Sequence, residues 1–187
     1  DETAVDFLEN LNVPAYKIAS SEITDVNLVK YIAETGKPVI LSTGMANLSE
    51  IHEAINSLIK GGCSQYAILK CTATYPTHPK DVNAKSIKYL RELFGCEVGL
   101  SDHTLGIGAS ISAVTLGASI VEKHVTLSRD SDGIDSKFSM EPNEISLLVQ
   151  ECNNAKDAIG EVSIGPTKDE LSMLKFRRSL YVTSDIK

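Results

Sequence analysis

At 187 residues the chain is long enough for one domain with a sizeable core. Its 42% hydrophobic and 23% charged residues argue against disorder, collagen-like sequence and coiled coil. A formal net charge of -7 argues against a general nucleic-acid-binding surface, and no apolar run approaches the roughly 18 residues of a membrane span.

The chain starts at Asp1 inside a helical pattern, with no methionine and no secretory leader, which reads as part of a longer protein. Five segments then read as strands buried on both faces: residues 15–20, 38–42, 66–71, 97–100 and 119–126. They are dense in Ile, Val, Leu and Ala. Helical patterns separate them. Residues 25–35 place Val26, Val29, Ile32 and Ala33 on one side. Residues 48–60 carry Ile51, Ala54, Ile55, Leu58 and Ile59, with Ser49 as the expected cap and Gly61-Gly62 as the stop. Residues 84–94 end at Gly95, 106–116 at Gly117, and a last helix from about 141 to 159 ends at Gly160. Residues 129–138 read as a long polar loop. The strand starts lie about 20 to 30 residues apart, the rhythm of strand–helix units in a parallel α/β sheet.

Both a doubly wound sheet and an eight-stranded barrel have that rhythm. Polar residues decide between them: Lys17 and Ser20, Ser42-Thr43-Gly44, residues 72–75, Ser101-Asp102-His103 and Lys123-His124 fall within or just after successive strands. Chemistry at the C-terminal end of every strand fits a barrel, whereas a doubly wound fold gathers it at one switch point. The expected fold is therefore a (β/α)8 TIM barrel, of which the chain holds about the last five units. Residues 1–160 form that part, and 161–187 form a linker towards something further. Cys63, Cys71, Cys96 and Cys152 lack CxxC spacing and read as reduced core thiols of a cytoplasmic protein.

His103 and His124 each end a strand. Two neutral imidazoles at a barrel mouth suit a divalent transition metal such as Mn²⁺ or Zn²⁺, with open positions for water and substrate; a hydrogen-bonded core histidine is the simpler alternative. His52, on a helix, and His78, in a loop, read as surface residues. Lys17 interrupts an apolar strand, and burying its ammonium is costly without an anion, which suggests a Schiff base, a phosphate or a carboxylate, or else pairing with Glu122 inside the barrel. Lys123 has the same choices. Ser20, Ser42 and Ser101 add small hydroxyls to an anion cradle, although each alone is more often a helix cap. Gly106-Ile107-Gly108 lacks the spacing of a dinucleotide fingerprint. Tyr75-Pro76 and Asp135 lie in loops at the same end of the sheet, suited to a polar organic substrate, although on the residues alone ordinary loop positions are the simpler reading.

Six stretches make the sequence familiar: VPAYKIAS at 13–20, GKPVILSTGMA at 36–46, KCTATYP at 70–76, VGLSDHTLGIG at 98–108, LGASIVEKH at 116–124 and FSMEP at 138–142. Together they resemble the sialic acid synthase family, whose members condense phosphoenolpyruvate with an N-acetylated amino sugar. The resemblance implies a transferase with a metal on His103 and His124, Mn²⁺ first, with Mg²⁺, Co²⁺ or Zn²⁺ as alternatives. It implies that Lys17, Ser20, Ser42 and Ser101 line the phosphate site, with Tyr75 and Asp135 on the sugar side. Lys17, His103, His124 and Tyr75 are the implied catalytic set. Ala73 replaces the Asn common in the sialic acid branch, and residues 133–138 replace that branch's Gly-Pro-Asp-His; both departures look like the pseudaminic acid synthase branch. The family also carries three further barrel units ahead of this region and an antifreeze-like domain after it, begun here at Arg178-Ser179-Leu180-Tyr181, and a full-length homodimer is implied. Three rivals stay open: an N-acetylneuraminate synthase using N-acetylmannosamine, a class I aldolase with a Schiff base on Lys17, and an inactive fragment or anion-binding module. The isolated chain is expected to be inactive or very weak.

Overall fold

A computed structural model describes residues 1–185. Five parallel strands, β1 (Tyr16–Ile18), β2 (Val39–Ser42), β3 (Tyr66–Cys71), β4 (Glu97–Asp102) and β5 (Val121–Lys123), lie side by side in chain order. Helices α1 (Glu2–Asn10), α2 (Val26–Glu34), α3 (Leu48–Lys60), α4 (Ser86–Phe94), α5 (Gly108–Thr115) and α6 (Pro142–Ile159) alternate with them. No strand order reverses, so the sheet has no switch point of the doubly wound kind. It curls instead. Lys17 on β1 and Glu122 on β5 stand at opposite edges, yet their side chains meet at 3.7 Å. The expected barrel architecture is thus present as a five-stranded half-barrel.

Side-chain alternation divides the sheet into two faces. Ile18, Val39, Leu41, Ile68, Val98 and Leu100 point outward and are almost completely buried against Leu28, Val29, Ile32, Ile51, Ile55, Leu58, Ile87 and Leu90 of the helices. Each such side chain stabilises the fold by about 1.5–3 kcal/mol when fully withdrawn from water. The register places Lys17, Ser42, Cys71, Ser101 and Glu122 on the other, concave face. The sequence therefore packs its helices with one half of each strand and keeps the other half for chemistry. The outermost strands are not buried on both faces as expected: Lys17 is exposed and β5 is half-buried throughout, because each has a ladder partner on one side.

Several expected boundaries move. Helix α3 starts as predicted at Leu48, but its cap is Asn47 rather than Ser49; the Asn47 side chain accepts from the Ser49 and Glu50 amides, while Glu50 accepts from the Asn47 amide. This reciprocal arrangement satisfies more unpaired amides than Ser49 could from inside the helix. Strand β4 runs two residues beyond the expected end because Asp102 pairs with Lys123, and β5 stops there, short of residue 126. Residues 124–126 turn instead to the segment before α6, where Met140 donates to the His124 carbonyl and Thr126 to the Met140 carbonyl. The polar loop at 129–138 contains a 3-10 turn over Ser136–Phe138. It is tied to α6 by Arg129, whose amide donates to Glu141 and whose guanidinium meets Glu144.

From Lys156 onward every described residue is exposed. Asp169–Phe176 forms a 3-10 stretch there. The expected linker at 161–187 includes residues 186 and 187, which lie outside the described residues. Among the described residues no helix is long and apolar enough to cross a membrane.

Candidate active site

The concave face gathers the sequence-predicted residues into two adjoining groups. The first is aromatic. His103 leaves the end of β4 and His124 the end of β5, one position past the last rung of their ladder, and their ring centroids are 5.2 Å apart. Tyr75 lies 4.3 Å from His103 and 5.7 Å from His124, between centroids. Phe138 closes the group, 5.5 Å from Tyr75 and 5.3 Å from His124. Asp135 joins it through His124, with Oδ2 3.2 Å from Nδ1.

Both histidines have a committed Nδ1. In His103 that nitrogen lies 2.9 Å from the Thr72 carbonyl, which can only accept, so Nδ1 carries the hydrogen. In His124 it faces the Asp135 carboxylate. Each ring is therefore oriented with Nε2 as the atom bearing a lone pair, the arrangement typical of metal-ligating histidines. Among the described residues no group of three or more His, Cys, Asp or Glu side chains could hold a metal ion. The donor set is thus an imidazole pair, which fits a catalytic metal completed by water and substrate rather than a closed structural site.

The second group is polar. Lys17 donates to the Ile18 carbonyl at 3.0 Å and pairs with Glu122. Glu122 also accepts from Ser101 at 2.7 Å. Ser20 accepts from the Gly44 amide at 3.0 Å, and a Cβ at Gly44 would come within 2.6 Å of that same hydroxyl. Glycine is needed there for close approach. Ser42 is buried, and its hydroxyl has no hydrogen-bond partner among the described residues. Such orphans are rare in folded interiors and point to a missing ligand. Lys17, Ser20 and Ser42 do not bond to one another; they line the face as separate donors.

Cys71 links the two groups. Its sulfur is 4.0 Å from His103 Nδ1. Burial disfavours the thiolate, but hydrogen bonds from His103, Ser20 and Ser101 outweigh it and bring the thiol below its usual pKa. Burial likewise disfavours the His103 imidazolium, while Cys71 and the Thr72 carbonyl more than offset it and raise the pKa. Sequence reading treated Cys71 as a core filler and missed Phe138; only the register of β3 and the fold of the 129–138 loop bring them in. His52 and His78 stay on the exterior as expected, His78 capping a 3-10 turn.

The NeuB family profile matches residues 1–163. The chain belongs to the NeuB family. It is 42% identical over 190 residues to the N,N'-diacetyllegionaminic acid synthase of Campylobacter jejuni, spanning 100% of this chain and 57% of that protein. It is 41% identical over 183 residues to the pseudaminic acid synthase of the same species, spanning 98% and 53%. Among solved structures, the N-acetylneuraminic acid (sialic acid) synthetase of Leptospira borgpetersenii superposes with a TM-score of 0.85 at 34% identity, over 96% of this chain and 63% of that one. This NeuB chain spans about half the length of the curated relatives it matches.

Proposed function

We propose that the chain supplies the C-terminal five strand–helix units (residues 1–160) of the barrel of a nonulosonic acid synthase, with 161–187 leading to an antifreeze-like domain. In this reading the enzyme condenses phosphoenolpyruvate with an N-acetylated amino sugar. The observation that carries it is the histidine pair with both Nδ1 atoms committed beside a hydroxyl-lined face that holds Lys17. His103 and His124 would hold a divalent metal, Mn²⁺ for preference, which would polarise the sugar aldehyde as a Lewis acid. Lys17 gives the phosphate charge and Ser20 and Ser42 give it hydroxyl donors, and Ser101, whose hydroxyl donates to Glu122, turns to it when the substrate binds. Tyr75 and Asp135 orient the sugar, and Tyr75 and Phe138 shield the reacting carbons from bulk water. C3 of phosphoenolpyruvate then bonds to the aldehyde carbon, water adds at C2, and phosphate leaves with cleavage of its C–O bond. Lys17 does not form a Schiff base in this scheme, since the substrate is already an enol and the ammonium is engaged by Glu122.

The sugar is assigned to the pseudaminic type, with two acetamido groups and no 6-hydroxyl. Relatives making legionaminic and pseudaminic acids lie at 42% and 41% identity, so this assignment rests on Ala73 and the 133–138 loop. The reading places the enzyme in the cytoplasm as a homodimer. The test is a condensation assay on the protein extended to the length of its relatives. Chelation should abolish turnover and Mn²⁺ restore it, and His103→Ala or His124→Ala should each lower kcat by roughly 10³-fold, as loss of several kcal/mol of charge stabilisation requires. Preference for N-acetylmannosamine moves the chain to the neuraminate branch. Borohydride trapping on Lys17 with metal-independent turnover rejects the scheme.

A further inference from the structure

We infer that Asp102 and Lys123 form a buried clamp behind the sheet that sets the spacing of His103 and His124. This rests on the reading of those histidines as metal ligands. The two clamp residues are register partners in the last rung between β4 and β5. Their side chains are 0% and 4% exposed, and Lys123 Nζ lies 3.0 Å from Asp102 Oδ2. No oxygen of the carboxylate is idle: Oδ1 accepts from the Thr104 amide at 2.8 Å and Oδ2 also accepts from Ser110 on α5 at 2.6 Å. Lys123 donates a second time, to the Thr104 carbonyl at 2.8 Å.

The pattern has a consequence for the next residue in each strand. Alternation turns His103 and His124 to the concave face while Asp102 and Lys123 point to the helices. Asp102 is itself the residue before His103, and both clamp residues hold the Thr104 backbone just after it. Beyond this rung the backbones part company, the His103 carbonyl accepting from Thr77 and the His124 carbonyl from Met140. The ion pair is therefore the last direct tie between the two strands before their histidines. A buried ion pair adds little net stability over an apolar pair of the same shape. What it adds is position. Asp102 and Lys123 are positioning residues, fixing two donors whose separation a metal must match.

The test separates position from stability by measuring Mn²⁺ affinity (from the spin resonance of free Mn²⁺) alongside the unfolding temperature. Asp102→Asn or Lys123→Met alone strands a buried charge and should lower the unfolding temperature. The double variant carries no stranded charge and should regain most of it, while binding Mn²⁺ about 10–100-fold more weakly, the range for partners that orient metal-binding histidines. Lys123→Arg keeps the charge and changes the reach of the head group; it should fold normally and bind Mn²⁺ several-fold more weakly, which keeps the test available if the double variant does not fold. Unchanged Mn²⁺ affinity in a folded double variant or in Lys123→Arg, with affinity lost in His103→Ala, overturns the clamp and leaves the metal site standing. Mn²⁺ affinity that survives both His103→Ala and His124→Ala, or an unsubstituted protein that binds none, overturns the metal reading itself.

Discussion

Ser42 holds a hydroxyl that is 2% exposed, with no hydrogen-bond partner among the described residues. An unsatisfied buried hydroxyl costs about 1–3 kcal/mol, and a hydrogen bond to a charged group returns about 1.5–3 kcal/mol. The two terms predict opposite effects for one substitution. Ser42→Ala should unfold at the same or a higher temperature, because the orphan is gone, and, with Ser42 in its proposed role as phosphate donor, bind phosphoenolpyruvate about tenfold more weakly. Thermal unfolding and calorimetric titration check the pair; a less stable variant with unchanged affinity would sink the assignment. Single residues of this site differ in how openly the sequence shows them. His103 and His124 at strand ends and Lys17 within a strand stand out because an ionisable group beside apolar strand residues has no packing reason to be there. Cys71 does not, since a thiol in an apolar run is indistinguishable from a core filler until β3 pairs with β4 and turns its sulfur towards His103. Asp102 hides for the opposite reason. It sits in a polar run where a solvated loop residue would look the same, and its burial depends on Ser110 and Lys123 arriving from α5 and β5.

Elements show the same division between what is local and what is not. Helix α3 is written in its own sequence, with an apolar stripe ending at a glycine pair, and its observed limits match the expected ones. Its cap was legible only in type. Asn47 and Glu50 bond reciprocally, with Asn47 accepting from Ser49 at 2.9 Å and Glu50 accepting from Asn47 at 2.8 Å. Asn47→Ala should therefore destabilise the chain by about 1 kcal/mol, lowering the unfolding temperature by roughly 2–4 °C, whereas Ser49→Ala should change it little. Parallel denaturation curves decide, and the reverse ranking would return the cap to Ser49. Strand ends are less legible because a strand stops where its neighbour stops. The strand expected to run through residue 126 ends at Lys123, the partner of the last residue of β4. Nothing within residues 119–126 carries that information.

At the scale of the whole molecule, the polar residues at successive strand ends distinguish a barrel from a doubly wound sheet, and the Lys17–Glu122 contact shows the curl directly. The same curl leaves two edges without ladder partners among the described residues, β1 on one side and β5 on the other. The β5 edge borders a cavity of about 480 Å³ lined by Val121, Val125, Met140, Leu148 and Val149. Val125 and Val149 in its lining are exposed. Unpaired strand edges beside apolar surface are templates for pairing with another chain, and natural proteins cover or charge them. The 187-residue chain by itself should accordingly self-associate as its concentration rises, through the β5 edge, which the apolar cavity borders. Sedimentation velocity over a wide concentration range reads this directly. Val125→Lys, which puts a charge beside the open edge, should shift the distribution back towards monomer without lowering the unfolding temperature by more than a few degrees, since the replaced side chain is 62% exposed. A chain that stays monomeric throughout, or one whose association ignores Val125→Lys, would place the sticky surface elsewhere than on β5.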